Sequence, residues 1–249
     1  MSVGMKAAMS SWTPDWTAPR ELSASPRPGR RFEPTEERML DDDLLTLATH
    51  LPGASGGLAV VREFPGARGV ADVVAITRWH EQLDARLSLG LPFLSNETDC
   101  MVVAALSPNQ TRTVGRLAPR LGMSDIQVAR RLRAMEVSGH VEAHGSGFRR
   151  ARGLEPIGRA YALEAKVSDW QKGIGQALRY SSWCDAAAVV LLRPPRDLSK
   201  VKARCSHLGL GLAVGDLWAV RPRLGRPHGG LRLAMSEQFA QLITASEAF

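Results

Sequence analysis

Hydrophobic and polar positions along this chain change period several times, and each change marks a predicted element. From residue 34 the stretch PTEERMLDDDLLTLATHLPG has an N-cap candidate in Thr35, acids early, apolar spacing and a Pro-Gly stop, so a helix is expected. Two extended runs follow, GLAVVREF (57 to 64) and GVADVVAITRW (69 to 79). Split by Pro65 and Gly66, they predict a hairpin behind that helix. After a composition shift near residues 89 to 96, helical patterns with tight breaks occupy 97 to 106, 113 to 122 and 124 to 140. Gly122 ends the second and Ser124 caps the third, which leaves a short turn between them. Pro119 is expected in a first turn or at a bend. Val114, Leu117, Leu121, Ile126, Val128, Leu132, Met135 and Val141 are the apolar positions expected to pack these helices together. VEAHGSGFRRARG then gives two short extended runs around Gly145, Ser146 and Gly147, the pattern of a β-ribbon.

Beyond Gly158 a different pattern resumes. Strand 159 to 167, helix 168 to 183, strand 185 to 192, helix 197 to 209 and strands 210 to 216 and 217 to 222 lead through a Gly/Arg/Pro linker to a last helix from Met235. Strand-helix-strand in this order predicts a partly parallel, helix-flanked sheet, an α/β core interrupted by an α-rich insert. Residues 1 to 34, with Trp12, Trp16, many Pro, Ser and Arg and no period, are expected to form a disordered tail. The organisation expected is therefore a tail (1 to 34), an α/β domain made of 35 to 92 and 157 to 249, and an inserted domain at 93 to 156. The last helix has two uses open to it: a homodimer interface, or cover for a sheet edge.

Charge narrows the class of partner. A net charge of +7 and a pI near 9.9 point to an anion, either nucleic acid or a membrane surface. Its location decides, because residues 111 to 153 hold nine arginines against three acids and so contribute +6 of the +7. The apolar runs, such as 186 to 192, are far short of the roughly 20 residues of a spanning helix, and the N-terminus has no secretory pattern. A cytoplasmic protein with no membrane partner is expected. Cys100, Cys184 and Cys205 form no CxxC pair, and six scattered histidines show no ligand spacing, which argues against a zinc, iron-sulfur or histidine metal site. Gly173-Ile174-Gly175 falls inside a helical pattern with no GK[ST] after it, so it is not a phosphate loop. Trp170 and Trp183 are read as core residues.

The segment TVGRLAPRLGMSDIQVARRLRAMEVSGHVEAHGSGFRRARG resembles the winged helix-turn-helix of MarR-like and ArsR-like regulators over about 60 residues. The resemblance implies that Ser124, Gln127, Arg130 and Arg131 face a DNA major groove, while Arg149, Arg150 and Arg152 reach phosphates or a minor groove. A winged helix used only for protein contacts is the other reading.

A second set of residues consists of Asp72 in GVADVVAI, the triplet Glu164-Ala165-Lys166 in YALEAKV, and Gln176 with Tyr180 in QALRY. With them, residues 35 to 80 and 158 to 222 resemble PD-(D/E)xK nucleases, the last pair matching the QxxxY element of RecB-type members. The resemblance implies a restriction-endonuclease-like mixed sheet flanked by helices and a site of Asp72, Glu164, Lys166, Gln176 and Tyr180. It also implies Mg²⁺ (or Mn²⁺) held by Asp72, Glu164 and the Ala165 carbonyl, all hard oxygen ligands. Lys166, two residues past Glu164, shares its strand face and can position or deprotonate an attacking water. It is one of only five lysines beside 27 arginines, so a chance surface charge is a poor account of it. A helix-borne acid is open among Glu36, Glu37, Asp41, Asp42 and Asp43, with Glu63 an alternative. The wide separation of Asp72 and Glu164 is explained if the winged helix lies between neighbouring strands. An ion pair on a sheet surface, or a nuclease-derived scaffold without activity, is the competing account. The expected function is a DNA-binding, Mg²⁺-dependent deoxyribonuclease of repair, restriction or defence acting on duplex DNA. The alternative is a non-enzymatic winged-helix regulator.

Overall fold

The computed structural model describes residues 19 to 23 and 37 to 247. Trp12, Trp16, Thr35 and Glu36 lie outside the described residues. The chain runs β1 (Arg20–Ser23), a 3-10 turn (Glu37–Leu40), α1 (Asp41–Thr49), β2 (Leu58–Gly66), β3 (Gly69–Thr77), α2 (His80–Ser88), α3 (Glu97–Ala105), α4 (Val114–Leu121) and α5 (Asp125–Val137). It continues through β4 (Val141–His144), β5 (Gly147–Arg150), β6 (Arg159–Lys166), α6 (Trp170–Tyr180), β7 (Ala186–Leu191), α7 (Leu198–Leu208), β8 (Gly211–Val214), β9 (Leu217–Val220) and α8 (Gly229–Glu247).

Seven strands form one mixed sheet in the order β1-β2-β3-β6-β7-β8-β9. β3 runs antiparallel to both its neighbours, β2 and β6, whereas β6, β7 and β8 run parallel through the crossover helices α6 and α7. The protein is thus mixed α/β, with helices on both faces of the sheet. Alternation along β6 shows why: Tyr161, Leu163 and Ala165 pack on Leu44, Leu47 and Ala48 of α1, while Ala160 and Ala162 meet Ala177 and Tyr180 of α6 and Phe239 of α8. β7, buried on both faces, reads AAAVVL with no polar position at all.

Between β3 and β6, which are hydrogen-bonded neighbours, the chain leaves the sheet and builds α2, the three helices α3 to α5 and the β4-β5 ribbon. Asn96 and Ser124 cap α3 and α5. Ser124 forms a reciprocal box with Gln127, and Gly122 closes α4 at φ 63°. Pro119 lies inside α4, in its second turn. Leu117, Val128, Leu132, Met135 and Val141 make the core of this unit, and Leu233 of α8 completes it.

The segment joining this unit to α2 is held by a buried ion pair. Arg86 of α2 and Glu237 of α8, each with 1% of its side chain exposed, form two parallel bonds of 2.7 and 2.8 Å. Arg86 also donates to the carbonyls of Leu91 and Pro92, and Glu237 accepts the N–H of Leu94. His140 donates through Nε2 to the Pro92 carbonyl at 2.8 Å.

Four expectations need correction. The tail assigned to residues 1 to 34 contains β1, which pairs parallel with β2, and Arg62 of β2 ties Glu21 and Asp41 together. Helix α2 went unpredicted. The last helix begins at Gly229 rather than Met235, since the glycines read as linker let α8 approach α3 closely: a Cβ on Gly230 would lie 2.6 Å from Met101 Cα. Ile126 does not pack the helices; it is 82% exposed, on the side of α5 opposite Val128, Leu132 and Met135.

Candidate functional site

The two separated carboxylates come together because β3 and β6 are adjacent. Their register pairs Val73 with Leu163, and one step further along sets Asp72 beside Glu164. Asp72 Oδ2 accepts the backbone N–H of Ala165 at 2.8 Å. On β2, Arg62 pairs with Val73 and Phe64 with Ala71, which brackets Glu63 across from Asp72. Glu63 has φ 48°, a left-handed conformation that costs a non-glycine residue roughly 1–3 kcal/mol. Side-chain alternation slips at this point in both strands, since Val61 and Phe64, and likewise Ala71 and Val74, reach the same core layer. The slip sets Asp72 and Glu63 at a shared kink next to β6.

Glu164 is completely buried, and both its oxygens have partners. Lys166 Nζ donates to Oε1 at 2.7 Å and to the Ala165 carbonyl at 2.6 Å. The Tyr180 hydroxyl lies 2.7 Å from Oε2 and 2.7 Å from the Val70 carbonyl. Tyr180 stands one turn after Gln176 on α6, whose amide opposes the upward shift of the hydroxyl, while the Gln176 Oε1 is buried without a partner. Burial, then the Asp72 charge, push the Glu164 carboxyl up from 4.5 to about 7 against the pull of Lys166 and Tyr180. Burial and the same two acids raise the Tyr180 hydroxyl, so it stays protonated. All five residues singled out by sequence therefore meet around Glu164.

Three oxygen donors fit a hard cation here: the carboxylates of Asp72 and Glu164 and the carbonyl of Ala165. The Lys166 ammonium is seated between two of them, which shows that this spot accepts positive charge. Among the described residues no cluster of three or more His, Cys, Asp or Glu side chains is placed to hold a metal ion, and Glu63 stands across from Asp72 on β2. Asp41 is engaged by Arg62, and Asp43 is raised by burial and by Asp216 and Asp42. Helix α1 lies under the opposite face of the sheet from Glu164, which keeps these acids apart from it. The thiols of Cys100, Cys184 and Cys205 are buried, and burial pushes them up to about 12, 12 and 11, which leaves them inert.

No protein family, curated protein or solved structure matches this chain. What the chain does has to be read from its own geometry.

On α5 the outward face is a stripe of Ile126, Arg130, Arg133 and Val137, with Ile126 82% and Val137 91% exposed. Gln127 is exposed, but its carbonyl oxygen is engaged in the cap with Ser124. Arg131 turns away from this face and pairs with Asp99 of α3 at 2.6 Å. Arg133, which sequence reasoning passed over, takes its place; the buried spacing of Val128, Leu132 and Met135 was the available signal. At the ribbon, Arg149 donates to Thr111, Arg152 to Asn109, and Arg150 to the Leu154 carbonyl and Glu155. These three arginines brace the base of the ribbon, and Arg152 is the exposed one.

Proposed function

We propose that this protein is a DNA-binding, metal-dependent deoxyribonuclease of the PD-(D/E)xK type with an inserted winged helix-turn-helix. The observation that carries this reading is the meeting of Asp72, Glu164 and Lys166, brought from 92 residues apart onto neighbouring strands, with Gln176 and Tyr180 closing over them. Mg²⁺ or Mn²⁺, held by Asp72, Glu164 and the Ala165 carbonyl, would supply Lewis-acid polarisation of a phosphate oxygen and of water. Lys166 orients or deprotonates the attacking water and offsets phosphate charge. Tyr180 fixes the Glu164 carboxylate through Oε2, with Gln176 one turn before it on α6. Duplex DNA is met by the outward stripe of α5, where Arg130 and Arg133 reach bases or phosphates and the Ile126 side chain is free for a thymine methyl.

One observation favours the second reading, a winged-helix regulator whose nuclease-like domain does not cut: Glu164 has no exposed surface, and each of its oxygens already has a donor. The two readings part on cleavage. Supercoiled plasmid, linear duplex and single-stranded DNA should be cut in Mg²⁺ or Mn²⁺, and EDTA should stop it. Glu164→Gln and Lys166→Ala should fold, bind duplex like wild type and cut at least about 100-fold more slowly. If wild type binds duplex but cuts none of these substrates, the regulator reading replaces the nuclease.

A further inference from the structure

A cleft of about 550 Å³ lies between α6 and α7, bordered by Trp170, Gln171, Ile174, Lys200 and Arg204. That size falls within the roughly 300–1,000 Å³ of small-molecule sites. Its walls differ in chemistry. Trp170 and Ile174, four residues apart on α6, make an aromatic and aliphatic wall; Lys200 and Arg204, four apart on α7, make a cationic one. Trp183 is fully buried, as expected of a core residue; Trp170 packs against the same core but is only half-buried, at the cleft. Lys200 and Arg204 are exposed, and among the described residues neither has a carboxylate partner. The acids nearest in sequence, Asp169 and Asp197, are turned onto the N–H groups of Lys172 and Lys200 as helix caps. Residues 193 to 204 hold five cations against Asp197 alone, a second basic region far in sequence from residues 111 to 153.

The cleft and the carboxylate site share helix α6. Gly173, three residues or about 4.5 Å along α6 from Trp170, rests directly on Lys166. A Cβ there would lie 3.3 Å from Lys166 Cγ and 2.7 Å from Val189 Cγ1.

We infer that this cleft holds a single-stranded segment of DNA, one base lying on the Trp170 indole and its backbone phosphates on Lys200 and Arg204. The inference rests on the nucleic-acid reading above and extends it to a second contact surface. An indole can take a base only when that base is unpaired, since a paired base has both faces in the stack. Gln171 offers a donor and an acceptor to a base edge. A strand seated here would pass beside Lys166, while duplex lies on α5.

The test measures anisotropy of a labelled 15-nucleotide oligo(dT) and of a 15-base-pair duplex with the full chain, each against unlabelled polyglutamate as competitor. Trp170→Ala should weaken oligo(dT) binding about tenfold, whereas Trp170→Phe keeps a stacking face and should lose no more than about twofold. Lys200→Ala with Arg204→Ala should lower the salt slope for oligo(dT) by about 1.4. None of these changes should move duplex affinity more than twofold. Conversely, Arg130→Ala with Arg133→Ala should weaken duplex alone. The inference is overturned if Trp170→Ala leaves oligo(dT) affinity intact, if Trp170→Phe loses as much as Trp170→Ala, or if polyglutamate competes as well as unlabelled oligo(dT). Duplex binding without oligo(dT) binding overturns it and spares the nucleic-acid reading; binding of neither sinks both.

Discussion

Replacing Glu237 by Ala should be the most damaging single change outside the sheet core, and the structure says why. It leaves the Arg86 guanidinium, 1% exposed, without its counter-charge and leaves the Leu94 N–H without an acceptor. Breaking one side of a buried pair costs about 3–5 kcal/mol, a large part of the roughly 5–15 kcal/mol that keeps a domain folded. The informative variant is the double replacement Arg86→Met with Glu237→Leu. For a pair that only neutralises itself, apolar residues of similar size are often neutral or stabilising. Here the pair also serves the backbone: the double change strands the carbonyl of Leu91 and the N–H of Leu94 and leaves the Pro92 carbonyl to His140 alone. At roughly 1–3 kcal/mol for each buried unpaired group, the double variant should be no more stable than Glu237→Ala. Urea unfolding followed by circular dichroism, with m compared among the three chains, measures this. A double variant within about 1 kcal/mol of wild type would show that the pair does not hold the joining segment through those three bonds.

Glu164, raised from 4.5 to about 7 mainly by burial, binds a proton more tightly folded than unfolded. Its contribution is therefore fully present below pH 4.5 and is lost as pH rises to about 7, on the order of 3 kcal/mol. The stability gap between Glu164→Gln and wild type should widen in favour of the variant by that order from pH 4.5 to 7.5, and an equal gap at both refutes the burial argument. On α5, Ile126→Glu should abolish duplex binding with unchanged thermal stability, as its side chain touches little. Arg131→Ala should leave the salt slope of binding unaltered and cost no more than about 1 kcal/mol, since its pair with Asp99 is partly exposed. A slope that falls in Arg131→Ala would place that residue on the DNA face after all.

Elements with a strong local period were legible in the sequence. The hairpin of β2 and β3, the caps at Gly122 and Ser124, and the crossovers through α6 and α7 all follow from spacing and breakers within a few residues. The adjacency of Asp72 and Glu164 needed one non-local step, the reading of residues between them as an excursion from the sheet. What escaped notice depends on partners far along the chain. β1 has four residues, no alternation, and a parallel partner beginning 38 residues later. Helix α2 reads as polar because one of its two buried residues is an arginine whose counter-charge lies on α8. Gly229 and Gly230 look like a linker until α3 is beside them. Ile126 is apolar yet 82% exposed, so its residue type alone pointed to the core.

Leu233 sits in the core of the three-helix unit although it belongs to the last helix. A ribosome releases the chain from its N-terminus, so α3 to α5 and the ribbon emerge complete but with an open apolar face, and they wait some eighty residues for the helix that covers it. The same helix brings Glu237 to Arg86. Until it arrives, neither the three-helix unit nor its orientation on the sheet is fixed. Asp72 likewise waits for β6, and only a chain that reaches α8 supplies Leu233 and Glu237 to hold the whole arrangement in place.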